Sequence, residues 1–281
     1  MPQHFSPLVP GLPHLAGLHN LAAPRLASDV AAGIQNIQDT LLPLACCADG
    51  VECAGECERS GNLGGDFFDF LLPHANEVLA AIGNVAVAGA AGSILTTGLH
   101  VCLRLLGARG VTPADLSGEI NRTLWQMSPD HAYATMFCAR INPRREILTY
   151  VNAGHETALI VRGDFRMERL EPNGPVLGFS RPFAYRERTT AFRPGDTLIA
   201  VSDGVSETSE ADCEQDLLRI LRKKEFARVP ELPGKILEAI RDLAGASSKD
   251  RTVIVVRYRP YQTQGAHAGL PSPRRTVAAA A

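Results

Sequence analysis

Between residues 133 and 201 the chain runs through a succession of short β-rich segments. They are Tyr133 to Ile141, Ile147 to Asn152, Ala158 to Arg162, Phe183 to Thr189 and Asp196 to Val201. Turn signals such as Asn142-Pro143, Gly163-Asp164 and Pro194-Gly195-Asp196 separate them. A leading strand is expected around Val51-Glu52-Cys53-Ala54 and a last one from Thr252 to Tyr258. Helical patterns come in pairs, at about 89 to 107 with 113 to 127, and at about 210 to 227 with 232 to 244. Thr112-Pro113 supplies a cap and a first-turn proline for the second of these. Strands that neighbour strands, with helices in pairs, predict antiparallel sheets covered by helices rather than a doubly wound parallel sheet.

At 281 residues and 45% hydrophobic, the chain is expected to form one large domain with tails. A net charge of −2, with no broad excess of basic residues, gives no support for nucleic-acid binding. Seven cysteines, an odd number, point to reduced thiols and a cytoplasmic setting. Cys46, Cys47, Cys53 and Cys57 cluster, but not at a standard zinc spacing, and Cys53 and Cys57 would share one strand face as small core residues. No signal peptide is visible. Val78 to Leu103 carries no charge and is long enough to cross a bilayer. Its Gly83, Asn84, Gly89, Gly92, Gly98 and His100 fit better with a strand from Val78 to Ile82, a glycine-rich turn and a buried helix, so no membrane partner is expected.

Residues 1–27 form an N-terminal arm whose prolines at 2, 7, 10, 13 and 24 predict irregular structure. Ser28-Asp29 caps an expected helix to about Leu42, with Val30, Ile34, Ile37 and Leu41 at helical spacing and Pro43 as its stop. That stripe has two possible partners: its own domain or a second copy of the chain. The expected division is an entry helix over 28–45, a main domain over 46–259 and a disordered tail over 260–281.

The chemistry gathers in two acidic stretches. In Gly64-Gly65-Asp66-Phe67-Phe68-Asp69-Phe70, strand geometry puts Asp66 and Phe68 on one face and Phe67 and Asp69 on the other. In Ile199-Ala200-Val201-Ser202-Asp203-Gly204-Val205-Ser206-Glu207, an apolar strand delivers Asp203 at its end and Gly204 lets the chain turn. Asp250, just before the last strand, is a third carboxylate. His155, in Asn152-Ala153-Gly154-His155, reads as a structural turn histidine. Carboxylates at strand ends suit a metal or phosphate site; the plainer reading of Gly64 to Phe70 is a turn and a strand end.

These stretches resemble, in order and spacing over roughly 28 to 258, the SpoIIE/RsbU-type branch of the PPM metal-dependent protein serine/threonine phosphatases. Ile34-Gln35 with Thr40-Leu41-Leu42-Pro43 is similar to the entry helix, and Gly64 to Asp69 to the glycine-glycine-aspartate motif. Ala153-Gly154-His155, Gly174-Pro175-Val176-Leu177-Gly178, Pro194-Gly195-Asp196 and Ser202 to Glu207 also match. The resemblance implies an α+β fold, a four-layer αββα sandwich of two antiparallel sheets flanked by helices. It implies two Mn²⁺ or Mg²⁺ ions that activate a water for direct attack on phosphate. It implies, as partner, a phosphorylated antagonist protein of a partner-switching pathway, and Asp66 and Asp203 as metal ligands. Control would then come from a separate partner or from a homodimer through helix 28–42, since about 27 residues before that helix are too few for a sensor domain.

Two departures fall on this chemistry. In Ile82-Gly83-Asn84-Val85-Ala86-Val87-Ala88-Gly89, Asn84 stands where the resemblance implies a bridging aspartate. In Lys249-Asp250, Lys249 stands at a ligand position. A neutral amide bridges two cations poorly. The charge of the four ligand positions falls from about −4 to about −1, too little to hold two divalent ions at close range. Asp250 and Asp69 are the carboxylates expected to compensate. Two functions follow: a phosphatase with a depleted metal site, with Asp66, Asn84, Asp203 and Asp250 as its ligands and Gly204 and His155 in support, or a pseudophosphatase that binds a phosphoprotein without hydrolysing it.

Overall fold

The computed structural model describes residues 19–259, apart from 44, 62, 75, 128–131, 180–182, 208–212, 224–227 and 246, and of 19–27 the backbone alone. Most of the expected arm, and the tail from 260, lie outside these residues. Two antiparallel sheets stack face to face. One contains β3 (Asp66–His74), β4 (Glu77–Val85), β5 (Ala134–Asn142), β6 (Ile147–Ala153) and β9 (Arg188–Ala191), in that spatial order. The other contains β1 (Ala45–Ala48), β2 (Val51–Glu58), β7 (Thr157–Val161), β8 (Met167–Arg169), β10 (Thr197–Val201) and β11 (Arg251–Tyr258), in the order β1-β2-β11-β10-β7-β8. Helices α2 (Gly89–Gly107) and α3 (Pro113–Met127) cover the first sheet, and α5 (Cys213–Lys223) and α6 (Leu232–Ala244) the second. This is the four-layer αββα sandwich the sequence implied.

The layering explains why the central strands read as unbroken apolar runs. Each is covered on both faces, so all five residues of β10 are buried. Leu198 and Ala200 enter the core between the sheets, while Ile199 and Val201 meet α5 and α6. In β3, Phe68 and Phe70 enter the inter-sheet core and Phe67 faces α2 and α3. Each such side chain contributes about 1.5–3 kcal/mol relative to its exposed state. The stretch 78–103 resolves into β4 and α2. Helix α2 is long and apolar enough by composition to cross a membrane, and here it packs Leu99, His100 and Leu103 against the first sheet.

Three expectations are corrected. Helix α1 runs His19–Leu41, so it begins nine residues before the expected cap and takes Pro24 into its second turn. Leu21-Ala22-Ala23 and Leu26-Ala27 are strong helix formers, and a proline this near the start removes one backbone bond without stopping the helix. The apolar stripe of α1 is only partly buried, with Ile34 and Leu41 half-buried. Val30 and Ile37 are about half exposed, and the residue driven to 3% exposure is Gln38. Finally, the segment expected as a strand from Phe183 is regular only over Arg188–Ala191. Before it, side-chain bonds replace the ladder: Asn173 Nδ2 donates to the Arg186 carbonyl at 3.0 Å and Tyr185 Oη to the Pro175 carbonyl at 3.0 Å. The short strands β1 and β8 carry no periodic signal long enough to read.

Candidate active site

The site forms where β3, β4 and β11 meet the chain leaving β10. Asp66 opens β3, and the β3–β4 register sets Asn84 directly opposite it. Gly65 leads in, its carbonyl accepting from Val85 N at 3.0 Å. Asp66 is 1% exposed. Its Oδ2 accepts from Thr252 Oγ1 on β11 at 2.6 Å, which ties the two sheets together at this end. Its Oδ1 has no hydrogen-bond partner. Burial pushes the carboxyl up to about 7, while hydrogen bonds from Thr252 and Ser202 pull it down and the charges of Asp250 and Asp203 push it further up.

Asp203 begins α4 (Asp203–Ser206), one residue beyond Ser202 at the end of β10. Both of its oxygens are occupied. Oδ1 accepts from Asn84 Nδ2 at 3.3 Å, and Oδ2 from Lys249 Nζ at 2.9 Å. The same ammonium reaches Glu207 at 2.6 Å. Those two partners raise the Lys249 pKa, so it remains a cation. Both substituted positions therefore converge on one carboxylate: the amide donates to one oxygen of Asp203 and the ammonium to the other.

Asp250 is turned elsewhere. Its Oδ1 accepts from Ser60 N at 2.9 Å and Ser60 Oγ at 3.1 Å, and its Oδ2 from Arg59 Nη1 at 3.3 Å. Arg59 also reaches Asp39 of α1 at 3.5 Å and the Asp66 carbonyl at 3.5 Å. Sequence reasoning missed Arg59. The only available signal was a charged residue at the end of a strand pattern, seven positions before Asp66. Gly64 lies under this pair, and a Cβ there would come within 2.0 Å of Arg59 Nη1 and 2.2 Å of Asp250 Oδ2. Gln38 caps the arrangement, its Nε2 donating to the Gly64 carbonyl at 3.1 Å and to the Ser93 carbonyl at 3.2 Å.

Asp69 does not join the cluster. As the strand alternation requires, it points to the opposite face, where it accepts from Arg104 Nε at 2.5 Å and pairs with His100 Nε2 at 2.9 Å. Its expected compensating part is corrected: the helix-side ion pair holds it. Gly204 is corrected too. It lies within α4 without a left-handed φ, and what it permits is the passage of the Asp250 backbone, whose carbonyl would sit 2.0 Å from a Cβ. His155 is buried, and its backbone N–H donates to Asn152 Oδ1 at 2.8 Å, the turn bond a structural histidine would have. Burial drives its imidazole down to about 4, against the opposing pull of the Val201 carbonyl and Asp203.

Among the described residues no set of three or more His, Cys, Asp or Glu side chains is placed to hold a metal. Asp66 keeps one orphaned, buried oxygen aimed at no donor, which suits a single cation. Asp203 and Asp250 each accept from the chain's own donors on both oxygens. Among the described residues, the side chains as placed do not fit a dinuclear centre.

A two-sheet sandwich with acidic side chains gathered at one edge defines a PPM-type phosphatase fold. The chain belongs to the Stage II sporulation protein E (SpoIIE) family, whose profile matches residues 74–259. It is 26% identical over 200 residues to the phosphoserine phosphatase RsbU of Bacillus subtilis, covering 69% of this chain and 59% of that protein. Among solved structures, the RsbU and RsbW domains of Rv1364c from Mycobacterium tuberculosis superpose with a TM-score of 0.70 at 22% identity, over 78% of this chain and 63% of that one. The SiaA-PP2C domain of Pseudomonas aeruginosa gives 0.68 at 17% identity, over 84% and 99%.

Proposed function

We propose that this chain acts in a partner-switching pathway as a phosphatase-fold module of pseudophosphatase type, engaging a phosphorylated regulatory protein or its antagonist without dinuclear hydrolysis. The observation that carries this reading is the Lys249 ammonium at 2.9 Å from Asp203 Oδ2. A fixed positive charge occupies the carboxylate on which a divalent ion would depend, and Asn84 takes the other oxygen. Family membership supports a phosphoprotein as the class of partner. The protein is read as cytoplasmic.

A second reading is favoured by the free Oδ1 of Asp66. One Mn²⁺ or Mg²⁺ held there, with Asn84 and carboxylates released by a moving Lys249, would leave a slow single-metal phosphatase. One experiment separates the two. Mn²⁺ is titrated calorimetrically into the wild type and into the Asn84→Asp/Lys249→Asp double variant, and both are assayed on an aryl phosphate. The expected result is no tight pair of sites and no turnover in the wild type, with both gained by the variant. Wild-type turnover equal to the variant's sinks the pseudophosphatase reading, and one weak site with slow turnover selects the second.

A further inference from the structure

Four of the seven cysteines lie in the β1–β2 hairpin, far in role from the acidic cluster: Cys46 and Cys47 on β1, Cys53 and Cys57 on β2. The hairpin turns through Asp49 and Gly50, whose φ values of 48° and 83° are those of a two-residue type I′ loop. Ala48 and Val51 close that loop, and the register then sets Cys46 directly across from Cys53. Counting back from the closing pair makes this a hydrogen-bonded pair, with Cα atoms about 5.5 Å apart. That separation is inside the range of about 4.4–6.8 Å that a disulfide spans.

The side chains agree with the backbone. Cys53 is 1% exposed in the inter-sheet core, and Cys46, half-buried, packs against the same core. Cys47 alternates to the other face, is exposed and stands across from Glu52. Cys57 lies across from Thr252, not from another cysteine. One thiol pair therefore stands apart by register and by the face it shares.

We propose that Cys46 and Cys53 are a modification site, a dithiol that forms a reversible cross-strand disulfide by exchange with a low-molecular-weight disulfide of the glutathione class. Cys46, the outer thiol, reacts first. It loses its proton, its sulfur attacks one sulfur of the small disulfide, that S–S bond breaks, and one small thiol leaves carrying the proton. Cys53 then loses its proton, attacks the Cys46 sulfur and expels the second small thiol. Two protein thiols are oxidised and one small disulfide is reduced to two thiols, with no other oxidant. Burial raises the Cys53 thiol well above its ordinary range, which disfavours its attack on a dissolved reagent and leaves the first step to Cys46.

Reversibility follows from position. Facing Cβ atoms in such a pair sit about 5 Å apart, and a disulfide draws them to about 3.8 Å. The strand that must yield is β1, four residues long and at the sheet edge, bonded to β2 alone. A bridge made against that resistance is an easily reduced one. It would also fasten the strand that follows α1 to the body of the second sheet.

The full chain is incubated with oxidised glutathione, its remaining thiols are alkylated, and it is analysed by intact mass and peptide mapping. The expected product has lost two hydrogens, carries a Cys46–Cys53 crosslink and returns to the dithiol with reductant. Cys47→Ser should bridge as the wild type does. Cys53→Ala should stop at a single glutathione adduct on Cys46, and Cys46→Ala, at the tolerant edge position, should leave Cys53 unmodified in the folded protein. A wild type that stops at adducts, or a bridge that requires Cys47, overturns the proposal.

Discussion

Gly64 shows how a single missing methyl group permits an electrostatic arrangement. Arg59 and Asp250 meet directly over its Cα, with no room for a Cβ. Gly64→Ala should therefore break or displace that ion pair and cost about 1–3 kcal/mol, read as a lower urea midpoint. Gly33, on the exposed side of α1 with nothing within 4 Å, is the opposite case. Gly33→Ala should leave the site alone and raise stability by up to about 1 kcal/mol. A destabilised Gly33→Ala would mean that α1 is not the helix described. Parts of this were legible in the sequence and parts were not. Two glycines before an aspartate announce a close approach, and the approaching backbone is that of β4. That Arg59 would be the side chain overhead could not be read, because its partners Asp39 and Asp250 lie 20 residues before it and 191 after it.

At the scale of elements, Asp69 fastens three pieces of structure. It holds His100 and Arg104 of α2 from β3, and Arg104 Nη2 donates to the Leu41 carbonyl at the end of α1 at 2.6 Å. Removing its charge leaves Arg104 and His100 facing a neutral group in a buried place. Asp69→Asn should cost about 3 kcal/mol, the low end for a broken buried pair because Arg104 is partly exposed. Hydrogen exchange should show the loss in α2 and the last turn of α1 before it shows in β10. Uniform exchange would contradict this local role. Helix α1 also carries the proposed homodimer contact, and its exposed Val30 and Ile37 are the residues to test. If α1 pairs two copies, Val30→Glu/Ile37→Glu should convert a dimer to a monomer in sedimentation without lowering the melting temperature. A wild-type monomer ends that reading. The helices over 89–107, 113–127 and 232–244 were readable because long apolar periods survive any partner. Gln38 was not, since nothing in a sequence says that a helix will bury its glutamine and expose its isoleucine.

For the molecule as a whole, the strand pattern predicted antiparallel sheets covered by helices, and the family resemblance a two-sheet sandwich, but neither specified the order β1-β2-β11-β10-β7-β8, which depends on pairings between residues as far apart as Val51 and Tyr258. That order brings β11 beside β2 and sets Thr252 against Asp66 and Lys249 against Asp203. It also gives the fold a pH dependence. The unfolded chain takes up a proton at His155 near 6.5, and the folded chain refuses it until about pH 4. The stability linked to neutral His155 is therefore present above pH 6.5 and is lost as pH falls toward 4, at about 1.4 kcal/mol per pH unit. Denaturant midpoints at pH 7.5, 6 and 5 should fall more steeply in the wild type than in His155→Gln. Parallel profiles would assign the acid sensitivity elsewhere. Lys249 has a consequence of another kind. A dissolved ion is supplied or withheld by the cell, captured by competitors and stripped by chelators. An ammonium on a lysine stem arrives with every copy at the moment of synthesis and cannot diffuse away. The charge balance at Asp203 is thus inherited rather than acquired, and a cell starved of or flooded with manganese would leave it unchanged.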